Sequence, residues 1–457
     1  MKIKESDTRL FHSPAEAILS VCGLLVLAVL LLRWWFVDNT ANIAGHVAAL
    51  VSVALFAWIG LQVSKSLTLS FEESGRERLW HPASEGTLNE GLLFGLSFLF
   101  GCLLLLAVAV VRAAMAGELA LGRLSDYFQM SDSGRYDEII THWYRPTPGV
   151  EDFRIVFFPL YPLLARLLSA LTGELPYTAV LLNITLYAVS NVLLYRLLLL
   201  DSPEYAARGA LWFRFLLPGT FFFVGPLSES AFFFATLCCI YLARKKAWLG
   251  AGLFGALSAY ARSLGLLTLV PLLIEALTEL RFTRRKGWRR FIPLLCCGLV
   301  PLGLAAFLIT NYRYYGDPLF FLAEEDRVWG QRMGVFFAST ASQVDQMLYC
   351  LRTDYPYVSF GLWGPNVIAS LGCLLLYARY AGKVRPSCGV WFLAYYFVAI
   401  SPTYLLSAPR YLLAMVGLYP ALAELCRSKR ARNAALLLSA LLSLGYLYAF
   451  CRGWEVY

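Results

Sequence analysis

Long apolar runs alternate with short polar segments along almost the whole chain. The runs recur between Ser20 and Cys451, and at about 20 residues each is long enough to cross the ~30 Å hydrocarbon layer of a membrane as a helix. A hydropathy window of ~20 residues finds about 13 of them. The pattern therefore predicts an all-α polytopic membrane protein with about 13 transmembrane helices. Two longer hydrophilic stretches, near residues 116–175 and 317–357, interrupt the series.

Part of the first hydrophilic stretch is apolar but too short to cross a membrane. Residues 156–172 would form a helix of ~25 Å at roughly 1.5 Å per residue. Pro159 and Pro162 favour a helix start near the membrane surface, and Arg166 lies within the segment. We predict an interfacial or re-entrant helix here instead of a span.

Composition supports the membrane class and excludes others. The 457 residues are 59% apolar and 15% charged, whereas soluble domains contain roughly 25% charged residues. The formal net charge is +9, but the basic residues lie between apolar runs, so we expect no nucleic-acid partner. Most of the 11 cysteines lie within apolar runs and the four histidines are scattered. We therefore predict no disulfide framework, no zinc site and no cofactor, and leave the metal requirement open.

The basic residues also set the orientation, because short loops rich in Lys and Arg stay in the cytoplasm. All eight lysines fall on one side if the N-terminus is cytoplasmic. The basic segments on that side contain Lys65, Arg244–Lys246, Arg281–Arg290, Lys383–Arg385 and Arg427–Arg432. Both long hydrophilic stretches are then predicted to be extracytoplasmic.

Two extracytoplasmic arginines are flanked by sequence of membrane depth. Arg262 separates the short run Trp248–Ala261 from the next apolar run, so we predict a hairpin with Arg262 at its tip. Arg410 also lies between apolar segments. Ionisable side chains at such depth are costly and often functional, and the guanidinium fork suits phosphate or carboxylate. We expect an anionic ligand here, whereas the other loop arginines are expected to be solvated or paired with nearby acids.

The first extracytoplasmic loop carries acids, arginines and aromatic residues just outside a span. A carboxylate at a membrane–water boundary can act as a general base on a hydroxyl, and aromatic residues suit sugar rings and isoprenoid chains. From the residues alone, the same acids could equally face solvent.

This loop resembles that of the PIG-V family of integral-membrane mannosyltransferases, GPI mannosyltransferase 2 and its bacterial relatives, in the GT-C class of glycosyltransferases. The family has an Asp-containing WDSxWY-like segment, then a Glu, then FFPLYP. The corresponding segments here are Ser131–Tyr136, Glu151–Asp152 and Phe157–Pro162. Later family elements match, in the same order, Pro218–Ser230, Ala261–Gly265, Gly316–Phe321 with Trp329–Gly330, and Ser407–Tyr411.

The resemblance implies a GT-C-type helical bundle that transfers a sugar, mannose in the family, from a polyprenyl-phosphate donor to an extracytoplasmic glycan or glycolipid acceptor with inversion. It implies Asp132 as general base and Arg262 and Arg410 as the residues that hold the lipid phosphate. Glu151, Tyr161 and Glu229 are the further substrate-binding candidates. Glu229 either orients the acceptor or belongs to a helix start that Ser228 caps. Tyr161 either lines the sugar groove or anchors the chain at the membrane interface.

Two departures from the family pattern are clear. Ser131 and Arg135 stand where the family has tryptophans, so Asp126 stays a rival to Asp132. Residues 1–70 contain two apolar runs ahead of the family's usual first helix. We interpret them as an additional pair of transmembrane helices and residues 71–457 as the GT-C-like domain.

Two other functions fit the same pattern. A flippase or exporter of lipid-linked saccharides would also have many spans and arginines for an anionic cargo, although transporters more often carry midplane charges and internal repeats. A non-catalytic scaffold could keep the fold without the activity. For the enzyme we expect a bacterial plasma membrane, with membrane lipid, the donor and the acceptor as partners.

Overall fold

The computed structural model describes residues 11–72, 84–117, 126–145, 153–173, 175–284 and 286–457. These residues are mostly helical, and the β-type pairing among them is an isolated bridge between Met333 and Pro402. The prediction of an all-α membrane protein is therefore confirmed.

Within the described ranges, eight helices are long and apolar enough to cross a membrane. Numbered with the others in chain order, they are α1 (Pro14–Asp38), α2 (Ile43–Ser70), α3 (Glu90–Ala116), α6 (Tyr177–Leu198), α10 (Ser263–Phe282), α11 (Trp288–Tyr315), α14 (Pro356–Tyr380) and α18 (Lys429–Cys451). Since several shorter apolar helices accompany them, the count of about 13 spans stays a prediction.

Shorter helices fill the intervals. They are α4 (Ser133–His142), α5 (Leu160–Thr172), α7 (Glu204–Leu216), α8 (Glu229–Arg244), α9 (Trp248–Ala261), α12 (Phe320–Trp329), α13 (Phe336–Leu351), α15 (Pro386–Ile400), α16 (Ala408–Leu413) and α17 (Leu418–Cys426), with single turns at Arg154–Val156 and Phe221–Val224. The short helix predicted at 156–172 is confirmed as α5, and the hairpin with Arg262 at its tip is confirmed as α9 and α10.

The second hydrophilic stretch is largely helical. It contains α12 and α13, and α13 packs along α2. Phe336 and Phe337 at the start of α13 are fully buried, and the Phe336 ring lies 4.7 Å from that of Phe56 on α2. Polar residues on both faces of α13, with Ser339, Thr340 and Gln343 buried, lower its average hydropathy, which is why the sequence pattern resembles that of a loop.

The two N-terminal helices differ in how they pack. Helix α2 contacts α13, α14 and α15 and buries several side chains, whereas α1 leaves most of its apolar surface exposed. On α1, Ile18 and Val29 are 63% and 64% exposed. Such a face suits the lipid of a membrane.

Small residues allow the central helices to approach closely. A Cβ atom on Gly303 of α11 would lie 1.8 Å from the carbonyl oxygen of Ala256 on α9. In lipid the hydrophobic effect does not drive helices together, so membrane helices often associate through close backbone contact at glycine.

Buried ion pairs join the helix ends on the side predicted to be cytoplasmic. Arg385 donates to Glu275 through Nε at 2.5 Å and through Nη2 at 2.7 Å, and Arg244 at the end of α8 pairs with Asp201. Ser387 donates to the same Glu275 carboxylate at 2.6 Å. The Arg385 and Glu275 side chains are each 11% exposed. These contacts connect α8, α10 and α15.

We expect Arg385→Ala to destabilise the protein by about 3–5 kcal/mol, because it leaves the Glu275 carboxylate buried without its main partner. Denaturant titration in detergent measures the change. The matched control is Arg196→Ala, which breaks the half-exposed pair with Glu90 and should cost no more than about 1 kcal/mol. Equal losses in the two variants would contradict a stabilising role for the buried pair.

Candidate functional site

Four side chains singled out in the sequence meet in one cluster. The Arg410 guanidinium donates through Nε to Glu229 Oε1 at 2.7 Å and through Nη1 to Asp132 Oδ2 at 3.0 Å. Arg262 donates through Nη2 to the same Glu229 oxygen at 2.9 Å. Glu229 therefore binds both arginines, and Arg410 connects it to Asp132.

Burial decreases from the centre of this cluster towards Asp132. The Glu229 side chain is fully buried and that of Arg410 is 3% exposed, whereas Arg262 is 14% and Asp132 32% exposed. Two positive and two negative groups balance one another, and such pairing is what allows ionised groups to stay buried. Asp132 is the most accessible of the four.

A tight turn before α4 positions Asp132. The Met130 N–H donates to Ser133 Oγ at 2.7 Å, and Ser131 has a positive φ of 43°. Arg112 on α3 donates to two backbone carbonyls just before the turn. Asp132 is thereby fixed at the start of α4, with its side chain directed to Arg410.

Glu229 is the first residue of α8, and the segment before it is held from α6 and α4. Asn183 donates through Nδ2 to the carbonyl of Leu227 at 2.7 Å. Ser228 occupies the N-cap position, but its side chain makes no cap hydrogen bond; its hydroxyl accepts from the Tyr136 O–H at 2.8 Å. The predicted capping role of Ser228 is wrong, because its backbone is helical, whereas a capping residue is extended.

Both arginines lie at breaks between helices. Arg262 has an extended backbone between α9 and α10, and a Cβ atom on Gly265 would lie 2.0 Å from the Ser258 carbonyl oxygen, so the turn after Arg262 requires glycine. Arg410 lies in the first turn of α16, just after a break between helices. Asn366 makes hydrogen bonds of 2.9 and 3.0 Å to the backbone on the two sides of this break.

The cluster opens on a cavity of 840 Å³. Asp132, Arg262 and Arg410 line it, and its volume is in the range typical of small-molecule sites. Other lining residues are Tyr136, Phe157, Phe158, Phe321, Glu325, Asp326, Trp329, Arg332, Tyr411 and Tyr457. Among the residues described, no three His, Cys, Asp or Glu side chains are grouped so that they could hold a metal ion.

The other sequence candidates differ in their position relative to the cavity. Tyr161 is fully buried behind the Tyr136 ring at 5.1 Å, and its hydroxyl has no hydrogen-bond partner among the described residues. Phe158 lines the cavity, whereas Asp126 is exposed outside it. Glu151 lies outside the described residues.

Helix α12 supplies a wall of the cavity, and the sequence analysis matched Phe321 and Trp329 to family elements but missed Glu325. Phe321, Glu325 and Trp329, spaced by four residues, all line it. Asp326 pairs with Arg332 at 2.7 Å, whereas Glu325 has no ion-pair partner in the described part of the chain. Burial raises the pKa of Glu325 to about 7. The four-residue spacing was a usable signal, but the stretch has the average polarity of a loop.

Comparison with known proteins gives only distant similarities. No family model matches the sequence, and no curated protein does. Among solved structures, ArnT from Cupriavidus metallidurans bound to undecaprenyl phosphate is 15% identical, with a TM-score of 0.41 over 78% of this chain and 76% of ArnT. Archaeal oligosaccharyltransferase AglB from Archaeoglobus fulgidus, in complex with an inhibitory peptide and a dolichol-phosphate, is 14% identical, with a TM-score of 0.37 over 72% of this chain and 52% of AglB.

The S. cerevisiae protein O-mannosyltransferase Pmt1-Pmt2 complex bound to the sugar donor is 14% identical, with a TM-score of 0.35 over 51% of this chain. The chain spans only 34% of the length of that matched chain. At TM-scores of 0.41 and below, the function has to be argued from the site itself.

The raised pKa of Glu325 predicts a pH-dependent stability. The ordinary value is 4.5, so the folded protein keeps this proton up to about pH 7 while the unfolded chain loses it earlier. The associated stabilisation is complete below the unfolded pKa and is lost as the pH rises through about 7. We expect the melting temperature to fall between about pH 5 and about pH 8, and to fall less in Glu325→Gln.

The matched control is the neighbouring Asp326→Asn. The hydrogen bond from Arg332 holds the pKa of Asp326 below its ordinary value, so this group is ionised throughout the window. Its replacement should leave the pH dependence as in the wild type. Parallel melting curves for the wild type and Glu325→Gln would contradict the assignment.

Proposed function

We propose that the protein is a membrane glycosyltransferase of the GT-C type, which moves a sugar from a polyprenyl-phosphate donor to an extracytoplasmic acceptor. One observation carries the proposal: a cavity whose wall combines the partly exposed carboxylate of Asp132 with two arginines, Arg262 and Arg410, that are held by one buried glutamate. A base next to a pair of fixed cations is what displacement of a lipid phosphate from a sugar requires.

The proposed reaction is a single inverting displacement. The acceptor hydroxyl oxygen forms a bond to the anomeric carbon of the donor as the bond from that carbon to the phosphate oxygen breaks. Asp132 takes the hydroxyl proton, and the lipid phosphate leaves with the electron pair. The developing negative charge lies beside the guanidinium groups of Arg262 and Arg410, which are preorganised for it.

Arg410 connects donor binding to the base. Its Nη1 donates to Asp132 Oδ2 at 3.0 Å. A donor phosphate that accepts from Nη1 takes this hydrogen bond away from Asp132 and adds a negative charge nearby. The freed carboxylate oxygen can then accept the proton of the acceptor hydroxyl.

Glu229 acts in this proposal as a positioning residue. It is fully buried and bonds through one oxygen to both arginines, so it fixes the distance between them. Arg262 keeps a second donor: its Nη1 is buried and has no acceptor among the described residues. A phosphate oxygen would satisfy this donor, which is otherwise costly to bury.

The finer parts of the proposal come from the resemblance to PIG-V. They are mannose as the sugar, a glycan or glycolipid as acceptor, a bacterial plasma membrane with a cytoplasmic N-terminus, and residues 71–457 as the GT-C-like domain. Residues 1–70 would then be an added pair of helices. Glu151 and Tyr161 stay candidates for substrate contact.

We expect Asp132→Asn to reduce sugar transfer at least ~10²-fold, because the amide cannot accept the hydroxyl proton. The assay uses proteoliposomes with radiolabelled polyprenyl-phosphate mannose and extracted membrane acceptors. Asp126→Asn is the matched control and should transfer at the wild-type rate. A loss confined to Asp126→Asn would move the base to that residue, whereas lipid crossing the bilayer without transfer would favour a flippase.

We expect Arg262→Gln to raise the donor KM by about tenfold or more, because the donor phosphate loses a charge-assisted hydrogen bond. Arg166→Gln, which removes an exposed arginine on α5, is the control and should leave this KM unchanged. Initial rates at varied donor concentration measure both. An unchanged donor KM in Arg262→Gln would separate this residue from phosphate binding.

A further inference from the structure

The segment that follows α18 turns back to the cavity. After Cys451 the chain bends at Gly453 and Glu455, which have positive φ values of 70° and 52°. Val456 is buried in the main core, and Tyr457 lines the same cavity as Asp132 and Arg410. Residues 452–457 are thus packed against the helices, and Tyr457 forms part of the cavity wall.

A close backbone contact seats this segment on α14. A Cβ atom on Gly361 would lie 1.5 Å from the carbonyl oxygen of Trp454, well inside any van der Waals distance. The Trp454 N–H also donates to the Ala449 carbonyl at 2.9 Å. Gly361 itself is in the π-helical turn Ser359–Trp363 of α14. Any side chain at position 361 must therefore displace the segment.

Tyr457 packs against apolar residues and also makes a polar contact. It packs with the group that includes Leu362, Trp363 and Leu406, and its O–H donates to Glu455. Burial and Glu455 are the main causes that raise the pKa of Tyr457 to about 12, and the charge of Asp132 also contributes. The phenol is therefore neutral at physiological pH and keeps the proton that it donates to Glu455.

We propose that Tyr457 contacts a sugar ring of the acceptor and that the contact of residues 452–457 with Gly361 holds it in place. The inference deepens the proposed function and rests on it. The acceptor hydroxyl must reach Asp132, so the acceptor occupies the cavity that Asp132 and Tyr457 both line. An aromatic ring with a polar hydroxyl suits a saccharide, which has apolar and hydrogen-bonding faces. The acceptor class is accordingly a glycan or glycolipid, and not a simple alcohol.

Transfer kinetics test the inference with four variants. Tyr457→Ala and Gly361→Ala should each raise the half-saturating amount of acceptor extract about tenfold, with the donor KM unchanged. Tyr457→Phe keeps the ring and should stay near the wild type. Gly372→Ala is the matched control, because this glycine lies on the same helix with open space around its Cβ position. Wild-type acceptor saturation in Tyr457→Ala or Gly361→Ala would overturn the inference.

Photo-crosslinking separates this inference from the proposed function. Benzoylphenylalanine replaces Tyr457 or, as a control, Tyr448, which is 50% exposed on α18. Illumination with the extract should give a saccharide-bearing adduct at position 457 and not at 448. If the wild type transfers no sugar, the proposed function fails, and the adduct still decides whether position 457 contacts a saccharide. Its absence at 457 overturns the inference whatever the transfer assay gives.

Discussion

One buried carboxylate determines the geometry of the site. Glu229 Oε1 accepts hydrogen bonds from both Arg262 and Arg410, and no part of its side chain is exposed. Leaving any one of these charges unpaired would cost several kcal/mol. The three breaks between helices that carry the charges must therefore keep their positions relative to one another. These are the breaks before α8, between α9 and α10, and before α16.

Helix α8 connects this cluster to a second set of buried charges. Its first residue is Glu229 and its last is Arg244, which pairs with Asp201 near the Arg385–Glu275 pair. Apolar side chains cover the helix between these ends. Ionic contacts at both ends therefore fix its position along its own axis. In the proposed reaction, a wall fixed in this way needs little reorganisation as charge develops on the leaving phosphate.

In the proposed reaction, Arg410 couples binding to chemistry. The Arg410 guanidinium that is proposed to bind the donor phosphate also donates to the proposed base, with Nη1 at 3.0 Å from Asp132 Oδ2. A donor phosphate that accepts from this guanidinium frees the Asp132 oxygen to take the acceptor's proton. Helix α12 and Tyr457 also line the cavity, so elements distant in sequence from Asp132 contribute to its wall.

The sequence by itself determined the helical membrane class, α5 and the hairpin with Arg262 at its tip, and it singled out Asp132, Glu229, Arg262 and Arg410 as candidates. These follow from local features: apolar run length, the high cost of charge at membrane depth, and short motifs. Only the tertiary structure decided that Glu229 bridges both arginines, that Ser228 is bonded by Tyr136, and that Glu325 and Tyr457 line the cavity. Those contacts join residues far apart in the chain, and a pattern along one sequence contains no information on which helix faces meet.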